Sequence, residues 1–298
     1  MKRIRIPWLL DIVLSEDAAE IESFANDHKL DRAYSNRSIL LNGSLLRRVR
    51  RTLQFGGKPF PTVSPRNAEG RAAAQDALWK RLNALAPAIS IGSDELEGLA
   101  AYVRGEGPTA ACGPLVQEVV GRLFVPTFKA TSASWDAALV LDKAPRTLNL
   151  ILVAWWTLTK RIDLAKQLLS DSVGGDLAGV HAVGVAVHNI VSGVNLMRQL
   201  YSNAVKRTAL SPETAASQCL FAPATVIRQP TASESSAKGE LETGTLVLLS
   251  LQAANAKSPD KNVVFLRETW SQCPAEQWVP ALLEGIWRRA CHLHPQEQ

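Results

Sequence analysis

Polar and apolar positions along the chain change period several times, and the helical period dominates. The stretch DIVLS at 11–15 alternates in twos and predicts a strand. Ser15, followed by acids and alanines in SEDAAEIESFAND, carries helix-start chemistry, with Ser15 as the expected cap. A Gly- and Pro-rich loop at 55–65 comes next, then an alanine-rich segment at 67–86 with apolar residues at helical spacing. Segments 93–105, opening on Ser93 and stopped by Gly105, and 111–124, with Pro114 allowed in its first turn, also read as helices. The pattern continues through 132–144 and 147–170. Within it, TLNLILVAWWTL at 147–158 is the longest strongly apolar run; it is about half a membrane span, so no span is expected, and a buried helix is.

The clearest element is 176–203, opened by Asp176 and almost wholly apolar at its centre, as a helix buried on most sides would be. Its polar exceptions, His181, His188 and Asn195, fall seven apart and share one face. After a short helix at 211–219 the character changes. ATVIRQPT and GTLVLLSLQ are extended, with TASESSAKGELE between them as a hairpin connection, so residues 220–250 are mostly extended. A last helix is expected from about Pro274 to Cys291. The fold class this predicts is mainly α with a small β-sheet, an α+β chain, as a single domain over 1–298 with sheet segments near both ends.

Composition narrows the partners. With 46% hydrophobic and 20% charged residues the chain is an ordinary soluble one. A net charge of +5 is spread thinly apart from RRVRR at 47–51 and the opening MKRIR. No aromatic platform or reading motif accompanies either, so no nucleic acid is expected; an anionic small molecule or an acidic protein accounts for the same charge. The four cysteines are widely spaced without a CxxC pair, which argues against structural zinc. Pro7 and Asp11 interrupt the first apolar run, so no secretory signal is expected and the location is read as cytoplasmic, with reduced thiols. No G-x-S-x-G, P-loop or G-x-G-x-x-G occurs.

Three positions carry candidate chemistry. Cys273 stands just before Pro274 and a helical run, where a helix dipole favours a thiolate; a half-buried free thiol is the alternative. Arg228 lies in an apolar strand-like run and needs an anion, from an Asp or Glu or from a ligand. His181 and His188 are too far apart along a helix to hold one metal and read either as hydrogen-bonded core residues or, for His188 with Asn189, as polar groups that handle protons. Trp270 and Trp278 flank Cys273, with aromatic packing as their default.

Several stretches, in order, resemble the cytochrome P-450 family of haem-thiolate oxygenases. DIVLSEDAAEIESFAND looks like the family's first hairpin strand and helix, 176–203 like its long central helix, and SPETAASQCLFAPATVIRQPT like its helix, proline turn and strand. ETGTLVLLSLQAANAKSPD closely resembles the family's G-T-x-V-x-x-S-x-x-A-A-N-R-D-P segment, at Gly244, Thr245, Val247, Ser250, Ala253, Ala254, Asn255 and Pro259. CPAEQWVPALLEGI looks like the ligand cysteine and the helix after it. The resemblance implies an abbreviated P-450-like helical core and haem b, with Cys273 as iron ligand, Arg228 on a haem propionate, and His188 with Asn189 as catalytic polar groups on the other face. It implies an oxidoreductase, either a monooxygenase or an enzyme using or rearranging peroxides, acting on an apolar small molecule, with a redox partner or partner enzyme. The pattern is incomplete. Leu266, Thr269 and Ala275 stand where the ligand loop has Phe and two glycines, Ala215 and Gln218 where the family has Glu-x-x-Arg, and the acid–alcohol pair is replaced near His188 and Asn189. These losses motivate the alternative, a haem-free relative acting as partner or scaffold protein.

Overall fold

The computed structural model describes residues 1–32, 39–89, 94–147, 149–236 and 239–292. In chain order the elements are β1 (Lys2–Ile6), β2 (Leu10–Ser15), α1 (Ala18–Asn26), β3 (Leu30–Asp31), α2 (Leu40–Thr52), β4 (Gln54–Phe55), β5 (Lys58–Pro59), α3 (Arg71–Ile89), α4 (Asp94–Arg104), α5 (Cys112–Arg122), α6 (Ser132–Arg146), α7 (Leu150–Leu158), α8 (Arg161–Ser172), α9 (Leu177–His181), α10 (Val187–Ser202), α11 (Ala204–Ala209), α12 (Pro212–Gln218), β6 (Val226–Pro230), β7 (Glu234–Ser236), β8 (Gly239–Leu241), β9 (Leu246–Leu249), α13 (Leu251–Lys257), α14 (Lys261–Phe265) and α15 (Val279–His292). The class is the expected α+β, helices with a small mixed sheet. Two compact units form, one from Met1–Asp76 with Ala222–Cys273, the other from Ala77–Phe221 with Pro274–Gln298.

The first unit is organised by a five-stranded sheet in the order β1-β2-β9-β6-β3. β2 and β9 run parallel, pairing Ile12 with Leu246 through Ser15 with Leu249, so segments from both ends of the chain share one sheet. Three of the four β9 residues are buried, as a central strand covered on both faces requires. Asp11 is wholly buried at the start of β2 and accepts from Arg3 Nε at 2.9 Å and Thr245 Oγ1 at 2.7 Å. Asn42 of α2 donates to the carbonyls of Asp11 (2.7 Å) and Gly244 (2.8 Å), which ties that helix to the sheet. The cap of α1 is Asp17, whose carboxylate accepts from Glu20 N; the expected Ser15 instead completes β2 and donates its hydroxyl to Glu20. Ser93, expected to cap α4, lies outside the described residues.

The second unit is a helix assembly around α10, which packs on α4, α5, α12 and α15. Its core includes Val183, Val187, Val194, Met197, Leu282 and Ile286, all buried. Gly193 lets α10 meet the end of α12: a Cβ there would stand 2.4 Å from the Cys219 carbonyl oxygen. Two expectations are revised. The 147–170 segment is two helices, because Lys160 turns the chain in the left-handed region (φ 51°). And α7 is not buried: Ile151, Trp155 and Leu158 are 83%, 60% and 80% exposed, while Trp156 is packed inward. Mean hydropathy registers how apolar a helix is, and tertiary packing decides how many of its faces are covered.

Candidate functional site

Cys273 ends a loop that begins where α14 stops. Leu266 (φ 49°) and Glu268 (φ 59°) both adopt the left-handed conformation, which costs a non-glycine residue about 1 kcal/mol or more. Hydrogen bonds hold the loop in that shape. Arg267 N donates to Asn262 O at 2.9 Å, and Cys273 N donates back to Phe265 O at 2.8 Å, closing the loop on the end of α14. Thr269, at a position where the resemblance expects glycine, donates its hydroxyl to Leu266 O at 2.7 Å and is buried. Its side chain thus stitches the turn, and the backbone strain falls on Leu266 and Glu268. Cys273 is half-buried and forms no disulfide. The residue after it opens a short 3-10 turn, Pro274–Gln277, and the α-helix proper begins at Val279 rather than at Pro274.

Two residues before Cys273, Ser271 Oγ accepts from Arg228 Nη2 at 2.6 Å. Arg228 is wholly buried, and its Nη1 donates to the Ile227 carbonyl. The sequence-predicted pair Arg228 and Cys273 therefore belongs to one loop environment. Arg228 is also one of four arginines around the indole of Trp270: Arg71, Arg228, Arg32 and Arg66 place their guanidinium carbons 4.7, 4.9, 5.4 and 6.0 Å from the ring centroid. Indole faces attract cations, but four guanidiniums repel one another. Asp31 is the nearby acid, and its Oδ1 accepts from the backbone amides of Arg32 (2.6 Å) and Arg66 (2.8 Å). Arg71 donates one Nη to the Trp270 carbonyl at 3.0 Å. Burial, partly offset by Asp31 and reinforced by Arg66, lowers the Arg71 pKa from its ordinary value. Arg71 Nε, Arg66 Nη1 and Trp270 Nε1 are buried donors with no hydrogen-bond partner among the described residues. A cation cluster with such donors has the chemistry to take an anion with several oxygens.

Sequence alone does not single out Arg32, Arg66 and Arg71, because nothing in their spacing unites them with position 228. Arg71 occupies the first position of α3, just after a glycine at φ 70°. That helix start is the one local hint.

His188 and Asn189 lie in the second unit, on α10 just beyond a π-helical segment, Ala182–Ala186, that joins α9 to α10 without a break. The His188 ring lies 5.1 Å from the Trp135 ring, and its Nε2 stands 3.0 Å from the Ala138 carbonyl on α6. Burial lowers its pKa below the ordinary value, against the pull of Asp142 and of the Ala138 and Gly184 carbonyls. Asn189 is half-buried beside it. Asn195, expected on the same stripe, accepts instead from Tyr102 Oη of α4 at 2.7 Å. Gln117 of α5 holds the π segment: its Nε2 donates to the Val183 and Ser134 carbonyls, both at 3.0 Å, and its Oε1 accepts from Ser134 Oγ. Among the described residues no group of three or more His, Cys, Asp or Glu is placed to hold a metal ion. The Cys112 and Cys219 thiols are pushed up to about 12 by burial. They stay protonated and unreactive, whatever Cys273 does.

The chain superimposes on CYP175A1 from one strain of Thermus thermophilus with a TM-score of 0.63 at 16% identity, covering 98% of this chain and 84% of that one. A six-coordinated cytochrome P450 from another strain of Thermus thermophilus gives a TM-score of 0.60 at 17% identity, with 96% and 85% covered. The fold is cytochrome P450-like. CYP105P1 in complex with filipin I, at a TM-score of 0.61 and 14% identity over 98% and 84% of the two chains, agrees. At these identities the likeness is one of fold. No family model and no curated protein matches the sequence.

Proposed function

We propose that this chain is a divergent haem-thiolate oxidoreductase in which Cys273 is the iron ligand and Arg228, Arg71, Arg66 and Arg32 receive the haem propionates. The observation that carries the reading is the arginine cluster tied, through Ser271, to the loop that ends in Cys273. The donor set fits the group: N–H groups on Arg71, Arg66 and Trp270 that are buried and without a partner among the described residues suit the oxygens of two carboxylates. Haem of type b held by these residues would supply redox chemistry at its iron. The protein's part is to hold the sulfur in a pre-formed loop, to neutralise the carboxylates and to keep the ring's edge dry. Residues 177–202 contain no Asp or Glu. A helix without carboxylates is poorly equipped to move protons, and a peroxide oxidant would ask less proton transfer of it than oxygen with delivered electrons. The substrate class is an apolar small molecule.

A second reading, a haem-free relative that serves as partner or scaffold, is favoured by Trp270, whose indole already lies among the four cations. One experiment separates them. Purified protein is mixed with hemin, reduced, and exposed to carbon monoxide. The first reading expects a Soret band at the far-red thiolate position that disappears in Cys273→Ala. It also expects Arg71→Ala and Arg228→Ala each to weaken haem retention by about 10-fold or more, the worth of one charge-assisted bond. A folded protein that takes up no haem overturns it in favour of the second, and a band unchanged in Cys273→Ala removes Cys273 as the iron ligand.

A further inference from the structure

The helical hairpin of the second unit leaves an apolar face uncovered. Ile151, Trp155 and Leu158 follow one another at helical spacing along α7 and are 83%, 60% and 80% exposed. On α8, Leu164 and Leu168 are 63% and 37% exposed, while Ile162, Ala165 and Leu169 of the same helix are buried. The hairpin is therefore anchored by one side and presents another. Its polar chemistry is unusual for a helix facing water. Thr157 and Thr159 turn their hydroxyls back onto the Val153 and Trp155 carbonyls, both at 2.8 Å, so they offer little to solvent. Residues 147–161 contain no acid and end on Lys160 and Arg161, both exposed. The nearest acids on α8 are Asp163, paired with Lys166 at 3.1 Å, and Asp171, which accepts from Gln167.

We propose that the α7–α8 hairpin is an interfacial membrane contact, laying its apolar face in the surface of an anionic lipid bilayer with Lys160 and Arg161 at the headgroups. Length supports lying rather than crossing. Nine residues of α7 make a helix about 14 Å long, against a hydrocarbon core of about 30 Å. A helix with aromatic and aliphatic residues on one side and cations beside them sits about 5–10 Å deep at the headgroup boundary. Charge complementarity selects the anionic surface: the acid-free stretch and its two terminal cations are attracted to acidic headgroups. A second copy of the chain is the weaker occupant. The two helices side by side project roughly 360 Å², under half of the ~800 Å² per partner that stable interfaces use. The inference does not depend on haem binding.

Co-sedimentation with phosphatidylcholine vesicles, with and without phosphatidylglycerol, tests it on the full chain. Wild type is expected to pellet with the phosphatidylglycerol vesicles and to be released by salt. The Ile151→Ser, Trp155→Ser, Leu158→Ser triple variant is expected to lose at least about tenfold in partitioning. Lys160→Ala with Arg161→Ala is expected to lose roughly 25-fold on the anionic vesicles and little on the neutral ones, about fivefold per cation. Circular dichroism and the thermal midpoint of both variants should match wild type, since all five side chains are exposed. Wild type remaining in the supernatant with the phosphatidylglycerol vesicles, or a triple variant that pellets as wild type does, overturns the proposal. So does a wild-type dimer in sedimentation velocity that falls apart in the triple variant while vesicles capture neither, which assigns the face to a second copy.

Discussion

His188 is held toward its neutral form by burial, with Arg146 adding to the effect, while the Asp142 carboxylate and the Ala138 and Gly184 carbonyls oppose it. Its folded pKa is thus below the unfolded value of about 6.5, so the unfolded chain takes up the proton first. The stabilisation is complete above about pH 6.5 and is lost as the pH falls through the folded value. Denaturant unfolding on either side of pH ~6.5 should show wild type weaker in acid, and His188→Gln, which keeps a hydrogen-bonding group for Ala138, should show a smaller difference. An unchanged difference would assign the acid sensitivity to other groups. The arginine cluster is the contrasting case. Guanidiniums cannot shed their charge at any ordinary pH, so Arg32, Arg66, Arg71 and Arg228 require an external or internal anion where a histidine simply discharges. Arg228 is legible in the sequence because an arginine inside an apolar strand is conspicuous. Its three companions sit in loops and at a helix start, where arginine is ordinary.

The helix Leu177–Ser202 shows what an element-level pattern can and cannot carry. Its length, its Asp176 cap and its apolar centre follow from the residues, and Asp176 does accept from Ala178 N and Gly179 N. The π segment does not follow from them. One extra residue taken into a turn rotates everything beyond it by roughly 100°. His181 and His188 consequently leave the common face that a regular helix would give them. Gln117, from a different helix, bonds the Val183 carbonyl within that segment, so the irregularity is specified by a tertiary contact. Close approach at Gly193 is another such contact. Gly193→Ala should lower stability by about 1–3 kcal/mol, because the Cys219 carbonyl is backbone and cannot rotate away. The denaturation midpoint should fall with the slope unchanged, and a variant as stable as wild type would contradict the tight crossing of α10 and α12.

At the scale of the whole molecule the sheet of the first unit is the decisive structure, since it recruits strands from residues 2–15 and 226–249. Asp11 sits at that junction. Burial raises its carboxyl pKa, but hydrogen bonds from Arg3 and Thr245 outweigh it, and the net value is below the ordinary one. Stability contributed by this depressed carboxylate is present above about pH 3.9 and is lost as the pH falls through the folded value. Asp11→Ala should cost about 2–3 kcal/mol near neutrality, the worth of hydrogen bonds to a buried charge, and should reduce the loss of stability in acid. Equal acid profiles for variant and wild type would remove Asp11 from that role.

Local sequence determined the class of most elements, the cap at Asp176, and the order of blocks that a P450-like fold needs, because periodicity and capping are properties of neighbours in the chain. It also placed Cys273 and Arg228 as the residues to watch. Only the tertiary structure decided that Arg228 on its strand reaches the Cys273 loop through Ser271, that four arginines distant in sequence gather round Trp270, and that the most apolar short helix keeps its face outward. Those outcomes depend on which surfaces meet, and burial, desolvation and charge pairing act on surfaces that no stretch of sequence possesses alone.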